Sequence, residues 1–197
     1  MTVWYIARGA GLSALVLLSI STCIGALVTG RGGRPGNRVV VQYLHRVTAS
    51  LGLGVLLLHI ATIFADSYAN VGWTGAIVPF TAGYRPTWVA FGTLSVYTFV
   101  LVAAVGLARG RMAASKRGAA AWRWLHSLAY VGWGMAMVHG LKSGTDTSVH
   151  WVRLLYLACG IAVIGSVAVR VLREPDLEEA PEAAVPGSAP SVTAGAR

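Results

Sequence analysis

The sequence predicts an all-α fold, a polytopic membrane helix bundle of five transmembrane helices, from its composition, its length and its long apolar runs. The chain has 197 residues, of which 55% are hydrophobic and 12% are charged. Soluble proteins carry about 25% charged residues, so this composition disfavours both a soluble globular domain and a disordered chain. The length also excludes a reductase with its own flavin and nicotinamide domains, since each domain needs about 100–150 residues.

Five apolar stretches are long enough to cross a bilayer, which takes about 20 residues. They lie at residues 9–29, 40–64, 87–107, 121–141 and 150–172. We expect the first stretch to be a retained helix and not a signal peptide, because it ends in the basic cluster Arg31, Arg34 and Arg38. Residues 1–173 are therefore interpreted as one transmembrane bundle.

The charges of the chain indicate a membrane topology. The formal net charge is +9, and the basic residues form short clusters between the apolar runs, at 31–38, 109–117 and 170–173. All three clusters fall on one side of a five-span bundle, which the positive-inside rule makes the cytoplasmic side. We therefore expect a multi-pass protein of the cytoplasmic membrane, in contact with lipid and not with nucleic acid, with its N-terminus outside and its C-terminus in the cytoplasm.

Two segments fall outside the predicted spans. Residues 65–86 are rich in Gly, Pro and aromatic residues, which is typical of a folded cap on the outer surface. Residues 174–197 are rich in Pro, Ala and Glu with almost no large apolar residue, and they hold five of the seven acidic residues. We expect them to form a disordered, acidic, Pro-rich cytoplasmic tail.

Four of the five histidines lie inside predicted spans: His45 and His59 in the second, and His126 and His139 in the fourth. Ionisable residues inside membrane helices are rare and usually functional. The second and fourth spans run parallel, so His45 is expected to meet His126 at an inner level and His59 to meet His139 at an outer level. The two levels are about 20 Å apart at the α-helical rise.

Two opposed neutral imidazoles with a flat gap between them suit a porphyrin iron, which takes axial nitrogen ligands. Zinc favours four protein ligands and copper favours Cys, Met or more His, and none of these accompanies the histidines. The sequence therefore predicts two stacked haems with these four histidines as iron ligands. Such irons have no open coordination position, which favours electron transfer over oxygen binding.

Five further residues are candidate haem contacts. Gly52 and Gly132 lie between the histidines of their helices, where glycine lets a bulky ring approach the backbone; ordinary small-residue helix packing is the alternative. Trp133 is interpreted either as a contact of both haems or as a core aromatic. Arg46 and Arg123 lie beside the inner histidines and are expected to pair with haem propionates, or to anchor the inner membrane face.

The 13-residue step from His126 to His139 turns a straight α-helix by about 220°, away from the face it started on. The fourth helix must therefore tilt, tighten or deform if both rings are to face the second helix. We expect this deformation at residues 132–134, where two glycines occur.

The histidine helices resemble a known family. The segments LHRVTASLGLGVLLLHI and WRWLHSLAYVGWGMAMVHGLKSGTD are similar to the ferric reductase-like transmembrane domain. That family includes the membrane parts of ferric reductases and NADPH oxidases, and the haem-binding subunit of a bacterial methionine sulfoxide reductase system. The resemblance covers about residues 9–172. It implies two b-type haems, with His45 and His126 binding the inner one and His59 and His139 the outer one. Larger members have six spans and often carry FAD and NADPH domains, which this chain lacks.

The leading hypothesis is a ferric reductase-like oxidoreductase subunit that passes electrons across the membrane. The donor would be a separate cytoplasmic flavoprotein or a quinol, and the acceptor a ferric chelate, oxygen or a partner protein on the outer side. No residue is assigned to acid–base catalysis. A transporter or permease that uses the histidines for proton, metal or haem movement is one alternative. A membrane anchor with purely structural haem is another.

Overall fold

The computed structural model describes residues 2–28, 35–66 and 69–173, and these residues form helices without any strand. The helices are α1 (Thr2–Leu27), α2 (Pro35–Ala65), α3 (Gly72–Ile77), α4 (Pro86–Leu107), α5 (Arg109–Met112), α6 (Lys116–Ser127), α7 (Ala129–Ser143), a 3₁₀ helix (Thr145–Ser148) and α8 (His150–Arg173). The predicted all-α class is confirmed for this part of the chain.

Within the described residues, four helices are long and apolar enough to cross a membrane. They are Thr2–Leu27, Arg38–Ala65, Pro86–Leu107 and His150–Leu172, which correspond to the first, second, third and fifth predicted spans. α1 begins earlier than the predicted boundary at residue 9. This first part of α1 includes Arg8, which forms an ion pair with Asp146.

The fourth predicted span, residues 121–141, is wrong as a single helix. α6 ends at Ser127, and α7 begins at Ala129. Between them the Leu128 N–H bonds to the carbonyl of Leu125 at 3.2 Å, three residues back instead of four. This 3₁₀ step tightens the chain locally. With 15 residues, α7 alone is shorter than the roughly 20 that cross a bilayer.

α1 is the central helix of the bundle. It packs along α2 and also contacts α7 and α8. Its buried face carries small side chains, including Ala7, Ala10, Ala14, Ser21 and Ala26. Small residues let helix backbones approach closely, which is how helices associate inside membranes. The buried hydroxyls of Ser19 and Thr22 each donate to a carbonyl one turn earlier at 2.7 Å, so these polar groups are satisfied within α1.

The histidine helices form two packed pairs, with α6 and α7 taken together as one broken helix, and α8 packs separately on α1. α2 packs on α1, while α6 and α7 pack on α4, and α1 joins the pairs through its contact with α7. A core of Leu18, Phe99, Trp133 and Val163 fills the junction. Direct packing between α2 and either α6 or α7 is slight by comparison. Only 6% of the apolar span of α2 is buried, against 28% to 44% in the other three spans. The helices that carry the histidines are therefore held apart.

The two ends of the bundle differ in character. At the end that we call the cap end, residues 69–85 fold back over the helices, as the sequence predicts for the loop. The Tyr97 hydroxyl donates to the Ile77 carbonyl, and Phe64 stacks on Trp73 with ring centroids 4.0 Å apart. The opposite end, which we call the basic end, carries α5 and the start of α6. Arg31, Arg34 and the predicted tail at 174–197 lie outside the described residues.

Replacing Gly52 by leucine is expected to destabilise the bundle by about 1–3 kcal/mol, the usual cost of overpacking. A Cβ atom at this position would lie 2.9 Å from Leu18 Cδ2 and 3.3 Å from Leu17 Cβ on α1. Gly54→Leu is the matched control, since nothing lies within 4 Å of its Cβ position. Thermal unfolding in detergent measures both variants, and equal stability would contradict the close α1–α2 packing.

Candidate functional site

The structure arranges four histidines at two levels of the bundle. Towards the basic end, His45 of α2 faces His126 of α6, with ring centroids 6.1 Å apart and ring planes at 73° to each other. Towards the cap end, His59 of α2 and His139 of α7 line one cavity. The fifth histidine, His150, is exposed at the start of α8.

Three of these rings are held by backbone carbonyls of a neighbouring helix. The Nδ1 atoms lie at hydrogen-bond distance from these oxygens: His59 from Ala7 at 2.7 Å, His139 from Trp88 at 2.9 Å and His45 from Ser21 at 2.9 Å. A carbonyl can only accept a hydrogen bond, so Nδ1 carries the proton in a neutral ring and Nε2 keeps its lone pair. Histidines that ligate metals are oriented by this kind of bond.

A glycine lies beneath each histidine ring. A Cβ atom added to it would meet the ring at 3.0 Å for Gly11 and His59, 3.2 Å for Gly25 and His45, 2.8 Å for Gly92 and His139, and 3.5 Å for Gly106 and His126. At 2.8 Å a methyl group on Gly92 would clash with the ring, and at 3.0 and 3.2 Å the ring would have to shift by a few tenths of an ångström. The glycines thus allow the imidazoles to reach the backbone.

The glycines and the accepting carbonyls form one repeated arrangement. In each of the three bonded cases, the carbonyl belongs to the residue four positions before the glycine. That carbonyl also accepts the helical N–H of the glycine, and its second lone pair is free for the histidine. We call each carbonyl with its glycine a cradle. α1 carries two cradles for α2, and α4 carries one at Gly92 for α7.

The spacing of the glycines matches that of the histidines. Gly11 and Gly25 are 14 residues apart, as are Gly92 and Gly106, and as are His45 and His59. Fourteen residues fall about 40° short of four turns, so both members of a pair lie on nearly one helix face. α1 and α4, which contain no histidine, therefore position the histidines of their neighbours.

The 13-residue step from His126 to His139 contains the 3₁₀ step at Leu128. A 3₁₀ residue turns by about 120° and rises about 2.0 Å, against about 100° and 1.5 Å in an α-helix. The additional rotation and rise compensate in part for the difference between this 13-residue spacing and the 14-residue spacing of His45 and His59. The deformation predicted at residues 132–134 is wrong in position, because those residues lie within α7.

The two glycines named from the sequence pack against helices. The Cβ position of Gly52 points at Leu17 and Leu18 of α1, and that of Gly132 lies 3.1 Å from Thr98 Cγ2 on α4. These contacts favour the alternative given for both glycines, which is close helix packing. Both nevertheless set the distance between the helices that surround the histidines.

The outer histidine pair borders a cavity of about 440 Å³. Cofactor pockets typically measure about 300–1,000 Å³. Its walls are mostly apolar and come from α1, α2, α4, α7, α8 and the cap, while Arg8, Asp146 and Tyr84 contribute polar groups. Arg8 and Asp146 form an ion pair through two guanidinium nitrogens. This pair ties α1 to the 3₁₀ helix.

The structure supports the interpretation of Trp133 as a core aromatic. It is buried in the core with Leu18 and Phe99, and it also lines the outer cavity. Its indole Nε1 donates to Ser19 Oγ at 2.8 Å. The ring is therefore fixed between the two histidine levels.

The arginines named from the sequence lie at the surface. Arg46 and Arg123 are both exposed. At the inner level a different arginine, Arg109, contacts Trp122. Its guanidinium carbon lies 5.0 Å from the centroid of the Trp122 ring. That ring stacks on His126 with centroids 5.2 Å apart. His126 differs from the other three rings, since its buried Nδ1 lies beside the Val102 carbonyl without a hydrogen bond of normal geometry.

Sequence reasoning missed the cradles, although two signals for them were present. One is the 14-residue spacing of glycines on the first and third spans. The other is the repeat Leu-His-x-x-Thr at 44–48 and 58–62. In both copies the threonine hydroxyl donates to the carbonyls of the leucine and the histidine, at 2.8 to 3.2 Å. Each histidine of α2 thus occurs in the same local setting.

Among residues 2–28, 35–66 and 69–173, no group of three or more His, Cys, Asp or Glu side chains is placed to hold a metal ion. The histidines come together in twos. Any metal at these levels would need its other ligands from a bound group.

The coupling free energy of the Arg8–Asp146 ion pair at the outer cavity should be measurable. Asp146→Asn is expected to destabilise the protein by about 1–3 kcal/mol, because it leaves the Arg8 charge partly buried without its carboxylate. Arg8→Met combined with Asp146→Asn should cost less than the sum of the single changes. A double-mutant cycle from chemical unfolding in detergent measures this coupling, and additive effects would contradict it.

Comparison of the chain with protein-family models, with curated proteins and with solved structures finds no match. The similarity of the histidine helices to the ferric reductase-like transmembrane domain thus remains a prediction from the residues of those helices.

Proposed function

We propose that this chain binds two b-type haems and carries electrons across the cytoplasmic membrane. His45 and His126 would hold the iron of the inner haem, and His59 and His139 that of the outer haem. The observation that carries the proposal is the paired arrangement of imidazoles, three of them with the proton fixed on Nδ1, on helices that are held apart. Each such ring offers Nε2 as a ligand.

A tetrapyrrole fits two protein ligands per level better than a bare ion does. Structural zinc takes four protein ligands, and catalytic zinc takes three. A porphyrin supplies four nitrogens of its own and leaves two axial positions for the protein. The 6.1 Å between the ring centroids of His45 and His126 leaves room for one metal ion, since metal–imidazole bonds are about 2.0–2.1 Å long. The size and apolar lining of the outer cavity suit the outer haem.

A haem with two histidine ligands supplies reversible one-electron chemistry and no open position for a substrate at the iron. The residues of this chain contribute the surroundings. The carbonyls of Ala7, Ser21 and Trp88 orient the imidazoles, and their bonds raise the basicity of the ligands. The apolar walls of the outer cavity exclude water. Trp133, fixed by Ser19, occupies the space between the two levels.

The proposed topology has five crossings. Four are the long apolar helices, and we propose that α6 and α7 together make the fifth, with the step at Leu128 inside the membrane. The basic end, with exposed Arg109, Arg111, Lys116, Arg117 and Arg123, would be cytoplasmic by the positive-inside rule. The N-terminus is then outside, the C-terminus is in the cytoplasm, and the cap faces outward. Exposed apolar side chains on α2 and α8 would contact lipid.

The partners follow from this topology. The inner pair lies near the basic end, so a separate cytoplasmic flavoprotein, or a quinol in the membrane, would be the donor. The outer pair lies beneath the cap, and the acceptor there would be a ferric chelate, oxygen or a partner redox protein. The chain would act as a ferric reductase-like membrane subunit.

A transporter that moves protons or metal ions has less support. Only two acidic residues, Asp66 and Asp146, precede residue 174. Both lie at the cap end and not along the bundle, so no acidic path accompanies the histidines through the described helices.

The purified protein is expected to be red, with a low-spin b-type spectrum and two haems per chain. His45→Ala and His126→Ala should each remove one haem and leave the other, and His59→Ala and His139→Ala should do the same at the outer level. His150→Ala is the matched control, because this exposed histidine faces neither pair, and it should keep both. Pyridine haemochrome analysis gives the counts. A colourless protein, or full haem content in the His126→Ala variant, would refute the proposal.

The cradles predict a graded series of haem losses. Gly92→Ala places a methyl group 2.8 Å from His139 Nδ1 and should reduce the outer haem several-fold, whereas Gly106→Ala, with 3.5 Å to His126, should have a small effect. Gly134→Ala is the control, since nothing lies within 4 Å of its Cβ position. Optical spectra and haem content report the result. A Gly92→Ala protein with both haems intact would show that the cradles do not position the ligands.

A further inference from the structure

The inner histidine level contains an indole N–H without an acceptor. Trp122 stands one turn before His126 on α6 and stacks on its ring, with planes 15° apart and centroids separated by 5.2 Å. Its Nε1 atom is buried and has no hydrogen-bond partner in the described part of the chain. A buried donor left unsatisfied costs about 1–3 kcal/mol. The position therefore favours a bound group that brings an acceptor.

A cation lies against the same indole. The guanidinium carbon of Arg109, at the start of α5, is 5.0 Å from the centroid of the Trp122 ring. Guanidinium carries five N–H donors in a planar fork, which suits the two oxygens of a carboxylate. An indole N–H with a guanidinium over the same ring offers donors for an oxyanion, and a carboxylate can accept hydrogen bonds from both.

We propose that Trp122 Nε1 and Arg109 bind a carboxylate of the inner tetrapyrrole, one of its propionate groups. This inference rests on the proposed function, because it requires a haem between His45 and His126. It replaces Arg46 and Arg123, which the sequence suggested for this role. All three arginines are exposed, and Arg109 is preferred because it lies over the Trp122 ring that stacks on His126.

The direction of the helices supports this assignment. α6 runs from the basic end inwards, so Trp122 lies about 6 Å nearer to that end than His126 does, at the α-helical rise. The propionates are the polar groups of a haem, and those of an inner haem reach water by pointing towards the basic end. The acidic residues Asp66 and Asp146 both lie at the cap end, so within the described helices no acid side chain competes for Arg109 there.

The test measures the midpoint potential of the inner haem. In the His139→Ala background, which should retain only the inner haem, Arg109→Gln is expected to make reduction about tenfold less favourable, which is about 59 mV for one electron. Loss of the cation leaves the propionate charge uncompensated and favours the oxidised iron. Trp122→Phe keeps the stacking, removes the N–H, and should shift the potential in the same direction by less. Arg109→Lys should restore most of the potential.

Arg123→Gln is the matched control, an exposed arginine one turn before His126, and it should shift the potential less than Arg109→Gln does. Unchanged potentials in both Arg109→Gln and Trp122→Phe, with the haem retained, would overturn this inference and leave the proposed function standing. Wild-type protein without haem would instead refute the proposed function. If Arg109→Gln loses the haem, retention in Arg109→Lys supports the carboxylate site, and loss in both variants overturns it.

Discussion

The hydrogen bond from a histidine Nδ1 to a carbonyl of the neighbouring helix is the interaction on which the rest of this structure depends. It fixes the tautomer and the direction of the ring, and it leaves Nε2 available as a ligand. It also constrains the neighbouring helix, because the ring reaches the carbonyl only where the residue one turn later has no side chain. The glycines of α1 and α4 and the histidines of α2, α6 and α7 therefore form one unit, although they lie far apart in the sequence.

This constraint accounts for the form of the bundle. Each histidine helix packs on a glycine helix, and the two pairs meet through α1 and α7, where Trp133 donates to Ser19. The ion pair of Arg8 and Asp146 joins α1 to the segment after α7 at the cap end. Contacts between the glycine helix α1 and α7 thus set the distance between the facing histidines. The histidine helices pack only slightly on each other, and we propose that a flat group occupies the space between them.

Much of this arrangement could be predicted from the sequence, because hydropathy and charge clusters are properties of single segments. Four long helices follow from runs of apolar residues, and the facing of His45 and His126 follows from the parallel direction of two spans. The break at Leu128 could not be predicted, because nothing in the local sequence distinguishes this leucine from its neighbours. The 13-residue spacing required a deformation without giving its position.

The roles of individual glycines were also beyond prediction. Gly52 and Gly132 lie between histidines in the sequence, yet they pack against other helices, whereas Gly11 and Gly92 support rings from helices far away along the chain. A glycine next to a histidine in sequence is an obvious candidate for contact, but its partner depends on which helices are neighbours in space. The same holds for the arginines at the inner level. Arg46 is next to His45 in the sequence and is exposed, whereas Arg109 is distant in the sequence from both helices' histidines and contacts Trp122 beside His126.

Electron paramagnetic resonance of the oxidised protein tests the central claim most directly, because the spectrum reports the axial ligands of ferric haem and the angle between them. Two low-spin signals typical of two imidazole ligands are expected. The inner haem should give the strongly anisotropic type that steeply crossed rings produce, as the 73° between His45 and His126 requires. A high-spin signal from five-coordinate iron, or the absence of any ferric haem signal, would contradict the account.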